Sequence, residues 1–214
     1  MAVHQGSEIR VLQSGKMTSA GIYIHIPFCR SRCSYCDFAT GIYQAHAAER
    51  YTRAVVREIG KWNEVGPFAV NTIYFGGGTP STLLPQELQA IVFAIRERFD
   101  VDPNAEITME MNPGGLDSQT LRAFRSLGIN RASFGAQTFD DQELARLGRS
   151  HTAADIRKTF YDLRNAGFTN INFDLIAGLP GQTNEAWLRN VREALALKPE
   201  HLSFIYWKCM RELL

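Results

Sequence analysis

The sequence predicts an α/β fold in which six parallel strands alternate with helices. Apolar runs rich in β-branched and aromatic residues alternate with amphipathic stretches along the chain. The 214 residues are enough for one large domain, and no internal repeat or low-complexity segment divides them. Right-handed crossovers between such strands allow either a doubly wound sheet or a barrel.

The predicted strands are short apolar runs bounded by glycine or polar residues. Polar residues gather toward their carboxyl ends, at His25, Glu110, Gln137 and Asp174. In α/β folds of either kind the chemistry lies at that end of the sheet. In chain order the runs occupy residues 21–26, 71–75, 106–111, 131–134, 170–176 and 201–205.

The predicted helices are the amphipathic stretches between these runs. Pro85 suits a first helical position, because a proline there sacrifices no intrahelical hydrogen bond. Gly128 and Gly167 each follow a helical stretch, as C-terminal caps do. The stretches occupy residues 45–63, 85–98, 118–127, 140–147, 153–166 and 184–197.

The composition excludes several classes of protein. The formal net charge of +1 argues against a nucleic-acid binder driven by bulk electrostatics. No apolar run approaches the roughly 18 residues that span a bilayer, so no stable membrane insertion is expected. Residues 1–16 have no apolar signal-peptide core, and four cysteines are too few for a disulfide scaffold. We therefore expect a cytoplasmic protein.

Three of the four cysteines lie within eight positions, in the loop after the first strand. Cys29, Cys33 and Cys36 have the spacing C-x3-C-x2-C. Three thiolates on a short loop can cover one face of a compact iron–sulfur cluster. Cubane clusters usually take four cysteines. Three local ligands leave one iron open to bind another molecule.

Two other interpretations of this loop remain. The cysteines can be small buried apolar residues, although the flanking Arg30 and Arg32 are polar. They can also bind zinc, with His25 or Asp37 as the fourth ligand. Zinc sites usually use C-x2-C pairs, so the asymmetric triplet favours a cluster.

The motif C-x3-C-x2-C after a first strand resembles that of the radical S-adenosylmethionine (SAM) superfamily. The words IHIPFC, CSYCDF and GGGTP resemble its branch of oxygen-independent coproporphyrinogen III oxidases and HemW heme chaperones, and the likeness extends over residues 21–204. It implies a partial (β/α)6 barrel of parallel strands. It also implies a [4Fe–4S] cluster on Cys29, Cys33 and Cys36 whose open iron binds SAM, and reductive cleavage of SAM to methionine and a 5′-deoxyadenosyl radical.

The resemblance also implies a set of SAM-binding residues, each of which has a plainer interpretation. The glycines after the second strand can form a simple tight turn. Glu110 can form a surface salt bridge, Arg149 can be a solvated charge, and Asp174 can have a structural partner. The implied set is Tyr23, Tyr35, Gly77, Gly78, Thr79, Glu110, Gln137, Arg149 and Asp174.

Within the branch, the sequence is more similar to the heme chaperones. The oxidases typically carry a further cysteine shortly after the third ligand, whereas Asp37 and Phe38 follow Cys36 here. The expected function is therefore that of a heme chaperone, with a porphyrinogen-oxidising enzyme as the alternative. The implied partners are SAM, heme or a porphyrinogen, an electron donor and a heme-acceptor protein.

The two ends of the chain lead to further expectations. We expect a disordered tail at residues 1–20 and a radical SAM core at residues 21–206. Residues 207–214 depart from the family pattern LSxYxLEVHEGTPL, and a shift of two nucleotides at 207–210 forces a Leu-Glu pair. A frameshift is therefore expected to replace the family's C-terminal domain, and Cys209 is not counted as a ligand.

Overall fold

The computed structural model describes residues 19–62 and 69–207. Most of the two expected tails, residues 1–18 and 208–214, lies outside this described part, and so does Cys209. Position 63, the expected end of the first helix, lies outside it too.

The described part consists of strands that alternate with helices. The strands are β1 Ser19–Ile26, β2 Phe28–Cys29, β3 Gly41–Ile42, β4 Ala69–Gly77, β5 Asp100–Met111, β6 Arg131–Gln137, β7 Ile171–Ala177 and β8 His201–Tyr206. The helices are α1 Ala45–Lys61, α2 Pro85–Arg98, α3 Ser118–Ser126, α4 Asp141–Arg146, α5 Ala153–Asn165 and α6 Asn184–Ala196. A 3₁₀ turn at Pro80–Thr82 follows β4.

Six of the strands form one parallel sheet in the order β1-β4-β5-β6-β7-β8. This spatial order is also the order along the chain, so each crossover joins neighbouring strands. The sheet curls into a half-barrel with helices on its outer side. The predictions of an α/β fold and of a partial barrel with parallel strands are confirmed.

The outer face of the sheet carries the core. Each strand from β4 to β7 has a large, fully buried apolar residue on this face, alternating with residues on the concave face. These residues are Phe75, Met109, Phe134 and Phe173. The rings of Phe134 and Phe173 meet edge to face with centroids 4.6 Å apart. Burial of this face beneath the helices leaves the opposite, concave face of the sheet to polar residues.

Two features of the strands differ from the sequence prediction. The third predicted strand was expected to begin at residue 106, but β5 begins at Asp100 and pairs there with Ala69. The segment 100–105 is polar and contains Pro103, so its strand character depends on pairing with β4. The two-residue strands β2 and β3 were not predicted, because they pair across the cysteine loop.

Candidate functional site

The cysteine loop leaves the carboxyl end of β1 and is pinned at its base. Gly41 donates its N–H to the Pro27 carbonyl at 2.7 Å, and Tyr43 donates to the Cys29 carbonyl at 2.9 Å. Cys29 therefore sits on a short paired strand, while Cys33 and Cys36 lie in the turn beyond it. All three thiols are half-buried and unpaired.

The three thiols share one electrostatic environment. Burial raises the pKa of the Cys33 thiol; the charge of Arg149 lowers it, whereas ionised Cys36 and Cys29 would raise it further. Within residues 19–62 and 69–207, no three His, Cys, Asp or Glu side chains converge on a point for a single metal ion. The preference for a cluster over zinc rests on the C-x3-C-x2-C spacing.

His25 is a poor zinc ligand for a separate reason. Its Nε2 lies 3.1 Å from the Ala39 carbonyl and its Nδ1 lies 3.2 Å from the Tyr23 hydroxyl. With Nε2–H donating to the carbonyl, Nδ1 accepts from the tyrosine. Both ring nitrogens are then satisfied by the protein, as expected of a structural histidine.

The glycine turn after β4 packs directly on the cysteine loop. Gly78 donates its N–H to the Ile26 carbonyl at 2.8 Å, and Thr79 donates to the Phe28 carbonyl at 2.7 Å. A Cβ on Gly78 would lie 2.7 Å from the Phe28 oxygen and 3.0 Å from the Cys29 sulfur. The glycine is therefore required for close approach between two segments of the protein.

Glu110 lies on the concave face at the end of β5, and the protein provides partners for its carboxylate. Tyr74 donates its hydroxyl to Oε1 at 2.7 Å, and Gly77 donates its N–H to Oε2 at 3.0 Å. Burial raises the pKa of Glu110, and the two hydrogen bonds oppose this increase because they stabilise the carboxylate. Burial is the main reason that the pKa of Tyr23 is raised, and the charge on Glu110 raises it further. Tyr23 therefore interacts electrostatically with Glu110.

Asp174 lies on the same concave face, farther along the sheet. The Asn172 amide donates to Oδ1 at 2.8 Å, and the Ser133 hydroxyl lies 3.4 Å from Oδ2. Its structural partners are therefore an amide and a hydroxyl. The charge of Asp174 contributes to the raised pKa of Glu110, after burial, so the two carboxylates interact along the concave face.

Gln137 and Arg149 meet beside Gly135 at the end of β6. A Cβ on Gly135 would lie 2.3 Å from Gln137 Nε2 and 3.0 Å from Arg149 Nη2. Gln137 has the left-handed φ of +65°, which is uncommon for a residue other than glycine. In the described part of the chain, Gln137 Oε1 and Arg149 Nε are buried with no hydrogen-bond partner. Such unpartnered atoms fit a site that a polar ligand completes.

Arg149 joins this region to the cysteine loop. It donates through Nη2 to the Tyr35 hydroxyl at 2.7 Å and through Nη1 to Asn112 Oδ1 at 3.0 Å. Burial raises the pKa of Tyr35 to about 12, so its hydroxyl stays protonated. Tyr35 also packs edge-on against Trp207.

The structure therefore brings the residues that were singled out in the sequence into two connected groups. One group is Tyr23, Gly77, Glu110 and Asp174 on the concave face. The other surrounds the cysteines and contains Tyr35, Gly78, Thr79, Gln137 and Arg149. Sequence reasoning missed Tyr74 and Asn112, although the period-2 pattern of β4 places Tyr74 on the same face as Gly76.

The helices of the described part give one further finding. None of them is both long enough and apolar enough to span a bilayer.

A family model described as the radical SAM superfamily matches residues 23–194, which is most of the chain. The chain belongs to this superfamily. The radical SAM half-barrel explains why the cysteine loop follows the first strand and why the polar residues lie on the concave face.

Curated relatives place the chain within the superfamily more narrowly. It is 41% identical to a heme chaperone HemW of Synechocystis, over 85% of this chain and 45% of the relative. It is 39% identical to an oxygen-independent coproporphyrinogen III oxidase of Bradyrhizobium diazoefficiens, over 86% of this chain and 42% of the relative. The chain thus spans about half the length of the curated relatives it matches.

A solved radical SAM structure shares the fold closely. Coproporphyrinogen III oxidase (HemN) of Escherichia coli matches with a TM-score of 0.82 at 29% identity, over 91% of this chain and 46% of that one.

Proposed function

We propose that Cys29, Cys33 and Cys36 hold a [4Fe–4S] cluster and that SAM binds between the cluster and the concave face of the sheet. The observation that carries this proposal is the contact between the cysteine loop and the glycine turn, because a Cβ on Gly78 would overlap the Phe28 carbonyl oxygen beside Cys29. This packing fixes Cys29, the first of the three cysteines, against the glycine turn at the end of β4. Membership of the superfamily supports both cofactors.

The chain's own residues have distinct tasks in this proposal. When bound, the cluster and SAM supply one-electron chemistry that the protein itself lacks. Glu110 is held by Tyr74 and Gly77, and its remaining lone pairs accept hydrogen bonds from an N–H or O–H group of SAM. Gln137 Oε1 and Arg149 Nε offer buried, unpartnered polar atoms to the same ligand. Tyr23 and Asp174 line the same polar surface.

Within the superfamily we propose that the chain is the core of a HemW-like heme chaperone. The curated HemW relatives, at 33–41% identity, support this choice. So does the sequence Cys36-Asp37-Phe38, which lacks the additional cysteine expected of the oxidases. The proposal includes heme as cargo, an electron donor, a heme-acceptor protein and a cytoplasmic location, where thiols remain reduced.

An oxygen-independent coproporphyrinogen III oxidase is the second candidate. Its support is the identity of 39% to the Bradyrhizobium oxidase and the fold shared with HemN. The two candidates differ in one measurable property, the turnover of a porphyrinogen.

Anaerobic reconstitution tests the proposal. We expect the wild-type chain to take up about four irons, to change its cluster spectrum when SAM is added, and to bind heme without converting coproporphyrinogen III. Cys36→Ala should abolish stable cluster loading. Ser31→Ala, an exposed position in the same loop, is the matched control and should load normally. A wild-type chain without a SAM-responsive cluster would overturn the proposal, and turnover of coproporphyrinogen would favour the second candidate.

A further inference from the structure

One of the three cysteines, Cys29, is connected to Arg149 through a series of hydrogen-bonded side chains. Arg149 donates from Nη1 to Asn112 Oδ1 at 3.0 Å. Asn112 donates from Nδ2 to Thr79 Oγ1 at 3.0 Å, and Thr79 donates to the Cys29 sulfur at 3.6 Å, a normal separation for sulfur. Each step in this path has its donor on the Arg149 side.

Arg149 makes a second contact with the cysteine loop. It donates from Nη2 to the Tyr35 hydroxyl at 2.7 Å, and Tyr35 lies between Cys33 and Cys36 along the chain. This contact holds the guanidinium in place while its Nη1 faces Asn112.

Asn112 is the only amide in this path, and its oxygen and nitrogen have different partners. Its oxygen must face Arg149, because a guanidinium only donates, and its nitrogen then faces Thr79. A flipped amide would lose the contact with Arg149, and its oxygen would accept the Thr79 hydroxyl proton that now points to Cys29. The side chain is half-buried in the loop after β5, so it bridges a strand end, the glycine turn and the segment that precedes α5.

We propose that Asn112 is a positioning residue that directs the positive charge of Arg149 to the Cys29 sulfur through Thr79. Hydrogen-bond chains that share one direction polarise each other, so the effect at sulfur exceeds that of a lone hydroxyl. This inference rests on the proposed cluster site. Hydrogen bonds to ligand sulfur stabilise the more negative, reduced cluster and raise its reduction potential.

The first test is a double-mutant cycle on the reconstituted protein. Asn112→Ala and Thr79→Val should each shift the cluster potential to more negative values. The double variant should shift it by less than the sum of the two, because both changes break the same path. Asn165→Ala, an exposed asparagine at the end of α5, is the matched control and should leave the potential unchanged. Additive shifts, or no shift in Asn112→Ala at normal iron content, would contradict the proposal.

The second test uses the protein without a cluster, so that failure of cluster loading and failure of the inference are distinguishable. Amide hydrogen exchange followed by mass spectrometry should show faster exchange in Asn112→Ala at residues 28–36 and 79–82. Exchange in α3, only six residues from Asn112, should be unchanged. Unchanged exchange at 28–36 would show that Asn112 does not support the cysteine loop, and uniformly faster exchange would show general destabilisation. Either result would overturn the inference.

Discussion

At the scale of the residue, the site depends on positions where a single added atom has no room. Gly77 has a φ of +114°, and a Cβ there would lie 2.7 Å from the His25 ring. Gly78 has no room because the carbonyl of Phe28 faces it. Backbone cannot move aside as a flexible side chain can, so the glycine turn and the cysteine loop fix each other's position.

Gly78→Ala is expected to displace the cysteine loop. The new methyl group would overlap the Phe28 oxygen, so we expect a loss of roughly 1–3 kcal/mol in the free energy of unfolding and weaker iron loading. Urea unfolding and iron analysis measure the two effects. Gly60→Ala is the control, because Gly60 lies in α1 with no atom near the added Cβ. It should be neutral or stabilising by up to about 1 kcal/mol. Equal losses in both variants would be the contrary result.

His151 makes the stability of the fold depend on pH. Burial, helped by the charge of Arg149, lowers the pKa of His151 to about 4. The unfolded chain binds a proton near pH 6.5 and the folded chain does not, so stability falls as the pH decreases from about 6.5 to about 4. The contribution of this residue is at most about 3 kcal/mol.

His151→Gln should remove this dependence while keeping a side chain able to donate a hydrogen bond. Urea unfolding between pH 4 and pH 7 should give a shallower decline for the variant than for the wild type. Identical slopes would mean that other groups account for the acid sensitivity.

Residue-scale reasoning from sequence identified the cysteines and Glu110 but missed their supports. Glu110 was expected to need a partner, and only the pairing of β4 with β5 shows that Tyr74 provides it. Asn112 was missed because its contacts lie 33 and 37 positions away along the chain. Local spacing contains no signal for contacts of this kind.

At the scale of the element, helix bounds were predictable because the signals that define them are local. The predicted bounds of α2, residues 85–98, match the observed helix at both ends, and Pro85 is its first residue. The ends of α3 and α6 lie one residue from their predicted positions. Strand bounds were less accurate, since β4 and β5 extend to wherever a neighbouring strand continues the hydrogen-bond ladder.

The start of α5 matters for the site because Arg149 and His151 immediately precede it. Thr152 accepts from the Asp155 N–H, and the Asp155 carboxylate accepts from the Thr152 N–H at 2.9 Å. We expect Thr152→Ala to cost about 1 kcal/mol of stability, measured by urea unfolding. Gln119→Ala, an exposed position in α3, is the control. A loss no greater than that of the control would contradict the role of this cap.

At the scale of the whole molecule, the half-barrel is open at both edges in the part of the chain that the structure describes. On one edge, β8 exposes Phe204, Ile205 and Tyr206, with Tyr206 at 79%. Exposed apolar residues on an edge strand promote edge-to-edge association. The fold class was predictable because it follows from the alternation of elements, whereas the curl of the sheet depends on how the strands twist together.

A charge on this edge should reduce self-association. Ile205→Lys is expected to lower concentration-dependent assembly severalfold, measured by sedimentation or light scattering. Pairing of two edges would bury the lysine charge, which opposes association. Leu195→Lys, equally exposed but on α6, is the control and should have little effect. A similar decrease in both variants would point to general solubility instead of edge pairing.

The shared order of strands in sequence and in space has a consequence for synthesis on the ribosome. Each strand from β4 onward can dock beside a neighbour that has already left the exit tunnel, so the sheet can grow in one direction. The cysteine loop emerges early, next to β1, yet the Arg149 that anchors it emerges more than a hundred residues later. Until then the loop is held by its base and by the glycine turn but not by Arg149. Delivery of iron and sulfide is therefore expected to follow translation of α5 and not to accompany the loop as it appears.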